Sequence, residues 1–114
     1  MKTRDSWPPE LDGVEAAPDH HEVLFENDRV RVIETVVGVG DSTPVHTHPR
    51  TLMYVVSGDH FIRKDDTGRV MVDTRDEGDD FEMPPVIWSD GTPPHVIENP
   101  GTKDLIVIGV ELKE

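Results

Sequence analysis

Short runs of β-forming residues, separated by turn residues, make up most of the chain from residue 22 onward. The runs cover residues 22–26, 29–37, 52–56, 60–64, 69–73, 86–88, 95–99 and 105–112. Glycine, proline, asparagine or aspartate lies between most of them, and no stretch shows the period of an amphipathic helix. About eight short strands with frequent turns are typical of a sandwich or a closed barrel. The pattern therefore predicts a single all-β domain.

Two of these runs carry information about buried faces. Residues 29–37 have apolar side chains on both alternating faces, as expected for a strand that packs on two sides. In residues 52–56 the strand period places Tyr54 on the face opposite to Met53 and Val55. Only one of these two sets can therefore point to the interior.

The first 21 residues have a different character. They contain Pro8, Pro9 and Pro18, several acidic residues and no clear period. Each proline removes a backbone donor and restricts the residue before it, which disfavours a helix. We therefore expect an extended proline-rich arm over residues 1–21 and the β domain over residues 22–114.

Composition excludes several classes of function. The 114 residues suffice for one domain, and the formal net charge of −13 argues against binding to nucleic acid or to an anionic membrane surface. There is no cysteine, so disulfides, thiolate nucleophiles and cysteine-based zinc sites are excluded. No apolar run approaches the ~20 residues of a membrane span, and residues 1–11 lack the hydrophobic stretch of a secretory signal. We therefore expect a cytoplasmic location.

The histidines are the main candidates for chemistry. His46 and His48 are two residues apart, so on a strand both imidazoles point to the same face. If that face is the interior, the pair could begin a transition-metal site, or the two could be buried histidines with ordinary hydrogen bonds. For His20 and His21, at the end of the arm, we expect two solvated imidazoles.

Two motifs resemble those of the cupin superfamily. Gly40 precedes His46 and His48 at the spacing of the first cupin motif, and the following apolar strand ends at Gly58. The second cupin motif ends in a histidine followed by asparagine, which residues 95–99 match after a glycine–proline turn. The resemblance covers roughly residues 22–112, and residues 24–32 also resemble the opening strands of small bacterial single-domain cupins. It implies a jelly-roll β-barrel, the double-stranded β-helix.

The resemblance also implies a metal site. His46, His48 and His95 fall on the ligand positions of the cupin motifs, whereas Thr51 occupies the position of the usual glutamate. The implied site consists of three imidazoles completed by water or substrate, and its positive charge favours an anionic or enolate-like ligand. A divalent transition metal is expected, Fe(II) first, with Mn, Ni or Zn as alternatives.

Further residues are assigned by their place in the motifs. His60 follows the first motif and is the candidate for proton transfer. The expected substrate pocket includes Thr51, Met53, Trp88 and Asn99. For Asn99, a role in orienting His95 and a role in the turn before Pro100 both remain open.

The sequence thus leads to two functional hypotheses. The first is a mononuclear three-histidine oxygenase or isomerase that acts on a small anionic substrate. The second is a non-catalytic cupin that binds or senses a small ligand. Small cupins often pair through their sheets or N-terminal strands, so we expect a homodimer.

Overall fold

The structure is a computed structural model that describes residues 7–113. Nine strands are found in this range: β1 (His21–Glu26), β2 (Val30–Val37), β3 (His46–His48), β4 (Thr51–Ser57), β5 (Ile62–Asp65), β6 (Val70–Asp73), β7 (Val86–Ser89), β8 (Thr92–Glu98) and β9 (Leu105–Leu112). Their positions agree with the runs expected from the sequence. Strand β3, which carries His46 and His48, is a short strand that the runs expected from the sequence did not include.

The strands form two antiparallel sheets. One sheet has five strands in the order β1-β2-β9-β4-β7, and the other has four in the order β3-β8-β5-β6. Neighbouring strands in the sheets are mostly distant in sequence, which is the crossing pattern of a double-stranded β-helix. The described residues therefore form two separately hydrogen-bonded sheets, and a barrel closed by continuous strand pairing is not found among them.

The inner face of the larger sheet is arranged in rows across its strands. Arg31, Glu111 and Thr51 form one row in the registers of β2, β9 and β4, and all three side chains are buried. Three inward-facing rows further along, Val37 lies opposite Leu105, and both are buried. The interior is thus polar at one end and apolar at the other, and the buried charged side chains of Arg31 and Glu111 lie at the polar end.

Alternation along β4 settles which of its two faces is buried. Leu52, Tyr54 and Val56 are 44–57% exposed, so Met53 and Val55 point inward. None of the helices among residues 7–113 is long and apolar enough to cross a membrane.

The N-terminal segment departs from the expected extended arm. A 3-10 turn covers Pro9–Leu11 and a single α-helical turn, α1, covers Gly13–Ala16. Proline at the start of a helical turn is tolerated because its missing N–H would have no partner there. His21, placed at the end of the arm from the sequence, is the first residue of β1. A second short 3-10 turn, Thr74–Glu77, interrupts the acidic loop after β6.

Candidate metal centre

Strands β3 and β8 bring the three motif histidines together. His46 and His95 lie directly opposite each other in the β3–β8 register, and their ring centroids are 4.2 Å apart. His48 lies 4.8 Å from His46 and 5.7 Å from His95 by the same measure. His46 is 1% and His95 is 4% exposed. The sequence spacing therefore leads to one buried imidazole cluster.

A fourth imidazole, which the sequence placed in solvent, joins this cluster. His21 is only 5% exposed, and its ring centroid lies 4.9 Å from that of His46 and 5.1 Å from that of His48. The candidate ligand atoms of His21, His46 and His48 all lie within 4.8 Å of one another. The expectation of a solvated His21 was wrong, because β1 pairs with β2 and puts His21 opposite the inward-facing Thr35. The sequence held one signal of this position: on a strand, His21 and the acidic Glu22 point to opposite faces, so His21 faces the interior when Glu22 faces solvent.

The neighbouring His20 is not freely solvated either. Its side chain is 12% exposed, and its Nε2 lies 2.9 Å from Oδ2 of Asp41. The strand period separates the two adjacent imidazoles, so that His21 joins the cluster and His20 pairs with a loop carboxylate. His20 therefore serves as a natural control for His21.

Every imidazole of the cluster has its Nδ1 atom bonded to an oxygen that can only accept. The acceptors are carbonyl oxygens for three of them and a carboxylate for the fourth, at 2.8–3.1 Å: Ala17 for His21, Pro44 for His46, Pro93 for His95 and Glu111 for His48. A neutral imidazole in such a bond must donate from Nδ1, so its Nε2 carries the lone pair. This arrangement is typical of metal-binding histidines.

Burial lowers the pKa of three of these imidazoles, His21, His46 and His95. Desolvation, with a smaller contribution from His48, lowers the pKa of His21 to about 4 and that of His95 to about 3. The same two causes lower the pKa of His46 well below its usual range. Nε2 of His21 is buried without a hydrogen-bond partner among the described residues. A buried acceptor without a partner is unfavourable, and a bound metal ion would satisfy it, so the residues fit a metal site.

A buried chain of charged groups supports His48. Glu111 is fully buried; its Oε2 accepts from His48, and its Oε1 accepts from Nε of Arg31 at 2.7 Å. The Arg31 guanidinium also donates to Oδ1 of Asp12 at 2.8 Å. Buried ion pairs are tolerated only when such hydrogen bonds satisfy both charges. Sequence reasoning missed Glu111, whose only signal was a carboxylate at an inward position of an apolar strand.

A cavity of about 160 Å³ adjoins the cluster. His46, His48 and His95 border it, and most of its remaining wall is apolar: Val37, Met53, Val55, Phe61, Met83, Ile87, Ile97, Leu105 and Val107. Its other lining groups are three threonines and Arg63. The described lining residues include no carboxylate and no imidazole outside the cluster. The cavity can thus bind a small ligand beside a metal, but it offers few groups for proton transfer.

Of the expected pocket residues, Met53 lines the cavity and Thr51 does not. Thr51 is 3% exposed and faces inward, but its hydroxyl donates to the carbonyl oxygen of Pro49 at 2.7 Å. The glutamate position of the motif therefore holds a hydroxyl that is already bonded. His21 brings a fourth imidazole from β1 instead.

Three other expected site residues, His60, Trp88 and Asn99, do not line the cavity. His60 bonds to the Thr74 hydroxyl at 2.8 Å and stacks on Phe81, because its neighbour Phe61 takes the inward position. Trp88 is 49% exposed on the outer face of β7, where Nε1 donates to Asp90.

Asn99 belongs to a turn and not to the cavity wall. Its amide donates to the carbonyl oxygens of Val37 and Lys103, and its side-chain oxygen accepts from the N–H of Gly101. Of the two roles left open by the sequence, the structure supports the turn.

No protein-family model matches the chain, and no curated protein sequence matches it significantly. Solved structures do match. A cupin domain from Bordetella pertussis Tohama I superposes with a TM-score of 0.65 at 18% identity, over 82% of this chain and 92% of that one. An RmlC-like cupin with a double-stranded β-helix fold, from Methanocaldococcus jannaschii, gives 0.59 at 13% identity, over 82% and 78%. The polyketide cyclase RemF from Streptomyces resistomycificus gives 0.56 at 20% identity, over 100% and 74%. The chain has the cupin fold.

Proposed function

We propose that the protein is a mononuclear metal-binding cupin in which His46, His48 and His95 hold the metal together with His21. The observation that carries this proposal is the orientation of four clustered imidazoles, three of them buried, each with Nδ1 bonded to an oxygen acceptor and Nε2 without a hydrogen bond to a described residue. Imidazole ligands suit Fe(II), Ni(II), Zn(II) or Mn(II), and Fe(II) is our first choice. Any further ligand comes from the cavity side.

The reaction that fits best is an oxygenation or isomerisation of a small anionic substrate. A bound metal would act as a Lewis acid and, in the case of iron, could also activate oxygen. The protein itself supplies a mostly apolar cavity that could hold the substrate against the cluster. One structural neighbour is a polyketide cyclase. This supports an isomerisation at an enolisable carbon, which needs no oxygen, as one of the two proposed reactions.

A specific observation favours the second candidate, a non-catalytic cupin that binds or senses a ligand. Proton transfer needs a group of suitable pKa within reach of the substrate, and the described cavity lining contains none outside the cluster. His60, expected from the sequence to move protons, bonds to Thr74 away from this lining. Turnover of an enolisable substrate by the metal-loaded protein would decide for the enzyme.

Metal content tests the proposal. The protein is stripped with a chelator, reloaded without oxygen with Fe(II), and its metal is measured by elemental analysis. We expect one equivalent in the wild type and severe loss in His46→Ala and His95→Ala. His21→Ala should lower the affinity by more than the roughly 10–100-fold that follows loss of an outer hydrogen-bond partner.

The matched control is His20→Ala, which removes the adjacent imidazole that pairs with Asp41. It should bind metal like the wild type. If the folded wild type holds no stoichiometric Fe(II), Mn(II), Ni(II) or Zn(II), the proposed function is wrong. If His21→Ala alone keeps wild-type affinity, the fourth ligand is wrong and the three-histidine site stands.

A further inference from the structure

Arg63 is the one cationic side chain in the described lining of the cavity. It lies on β5 opposite Ile97 of β8, and both residues border the cavity. Residues that pair across antiparallel strands share a face, so Arg63 points to the interior with Ile97 and His95. Its neighbour Lys64 points outward, where it pairs with Glu98. A cation has therefore been placed on the inner face next to residues that are mostly apolar.

The guanidinium of Arg63 has no hydrogen bond or ion pair among the described residues. Asp65, two positions along the same strand, uses Oδ1 for the N–H groups of Thr67 and Arg69 in the hairpin turn. Arg31, the other inward-facing arginine, is by contrast bonded to two carboxylates. A partly buried charge without a counter-ion is unfavourable, and an anionic ligand would remove that penalty.

Arg63 and the cluster are close enough to hold one small molecule. Arg63 is diagonal to His95 across the β5–β8 ladder, since it pairs with Ile97, two residues beyond His95. Diagonal neighbours have Cα atoms roughly 7–8 Å apart, which is within reach of a long side chain.

We infer that Arg63 binds the anionic group of the ligand and thereby selects short carboxylates that carry a second oxygen for the metal. This inference rests on the proposed function. The guanidinium fork matches a carboxylate through two parallel hydrogen bonds. The cavity has room for on the order of ten water-sized groups, and its apolar wall suits a hydrocarbon body. The ligand class is therefore a small 2-oxo, 2-hydroxy or 3-oxo acid.

The test measures calorimetric binding of pyruvate and of its uncharged analogue pyruvamide to the metal-loaded protein. Arg63→Met removes the charge and keeps an unbranched side chain suited to the apolar wall. It should weaken pyruvate binding by about tenfold or more, because charge-assisted hydrogen bonds are lost, and leave pyruvamide binding and metal content unchanged. Arg63→Lys should retain part of the affinity as a point charge.

Lys64→Gln is the matched control, since it removes the same charge from the adjacent outward position. It should bind pyruvate like the wild type. Equal pyruvate affinity of Arg63→Met and wild type, or equal loss in Lys64→Gln, overturns the inference, as does a wild type that binds no pyruvate at millimolar concentration. If no metal is retained, the proposed function fails separately, and the same comparison made on the metal-free protein still decides the role of Arg63. A melting curve of each variant confirms that it is folded.

Discussion

Single residues define the candidate centre through their tautomers. The carbonyl oxygens of Ala17, Pro44 and Pro93 and the Glu111 carboxylate all bind Nδ1, and this leaves four Nε2 atoms as bare acceptors. An ordinary buried histidine would have partners at both nitrogens. Of these atoms, Nε2 of His21 is buried without a hydrogen-bond partner among the described residues, which is unfavourable unless a ligand binds it.

The metal-free protein should lose stability as the pH falls from 7 to 5. An unfolded histidine has its ordinary pKa of 6.5, and burial lowers that of His21 to about 4 and that of His95 to about 3 when folded. Below pH 6.5 the unfolded chain therefore binds more protons, and the loss continues until the folded pKa is reached. Each histidine should contribute on the order of 1–2 kcal/mol between pH 7 and 5.

Urea unfolding in the presence of a chelator measures this effect. His21→Asn should show a smaller difference in unfolding free energy between the two pH values than the wild type shows. An unchanged pH dependence in that variant would contradict the neutral, buried state of His21.

At the scale of elements, the N-terminal segment forms part of the wall of the metal centre. Asp12 makes an isolated parallel bridge to Thr47, between the two histidines of β3. Ala17, fully buried, accepts from His21. Gly13 packs so closely that an added Cβ would lie 2.7 Å from Cε1 of His48. Residues 12–17 thus close the cluster on the side away from the cavity.

Gly13→Ala should therefore disturb the site without unfolding the protein. Alanine favours a helical turn by up to about 1 kcal/mol over glycine, so any harm must come from the contact with His48. We expect metal affinity to fall by about tenfold, measured by competition with a chelating dye. Gly38→Ala is the control, because its added Cβ would meet a single atom at 3.7 Å. Equal affinities of the two variants would show that the segment does not shape the site.

The sequence predicted the strands well and the N-terminal segment poorly, for a physical reason. Strand runs are local signals, and the His46, His48 and His95 spacing is tied to paired strands, so both were readable. The contact of His21 with the cluster, and that of Glu111 with His48, depend on long-range pairing, so the local signals at these residues did not reveal their partners. The prolines of the segment indicated an irregular chain. Its position against the cluster depends on hydrogen bonds to Thr47 and Arg31, which the prolines do not indicate.

At the scale of the molecule, the outer face of the larger sheet is apolar although the chain is strongly acidic. Leu52, Tyr54, Val56, Val86 and Trp88 are 44–57% exposed on β4 and β7. Leu52 pairs with Trp88 and Tyr54 with Val86, so the side chains form one surface. These five side chains are uncharged, and the guanidinium of Arg50 lies 5.6 Å from the centroid of the Trp88 ring, so two copies could meet there through mostly apolar side chains. This surface supports the predicted homodimer.

Tyr54→Lys should shift the protein towards the monomer. Placing a lysine at the centre of this surface would bury an unpaired charge in each copy of a two-fold interface. Sedimentation velocity at several concentrations measures the change, with Val39→Lys as the control because Val39 is 54% exposed in a loop. A wild type that is monomeric throughout, or a Tyr54→Lys variant that still dimerises like Val39→Lys, would show that this face is not a dimer interface.

The hydrogen bond between His48 and Glu111 has a consequence for biosynthesis. Glu111 lies 63 residues after His48 and 80 residues after Arg31. During translation, His21, His46 and His48 all leave the ribosome long before the carboxylate that orients His48 and neutralises Arg31. A nascent chain consequently has no assembled centre, and we expect stable metal uptake to begin only after the last strand is released.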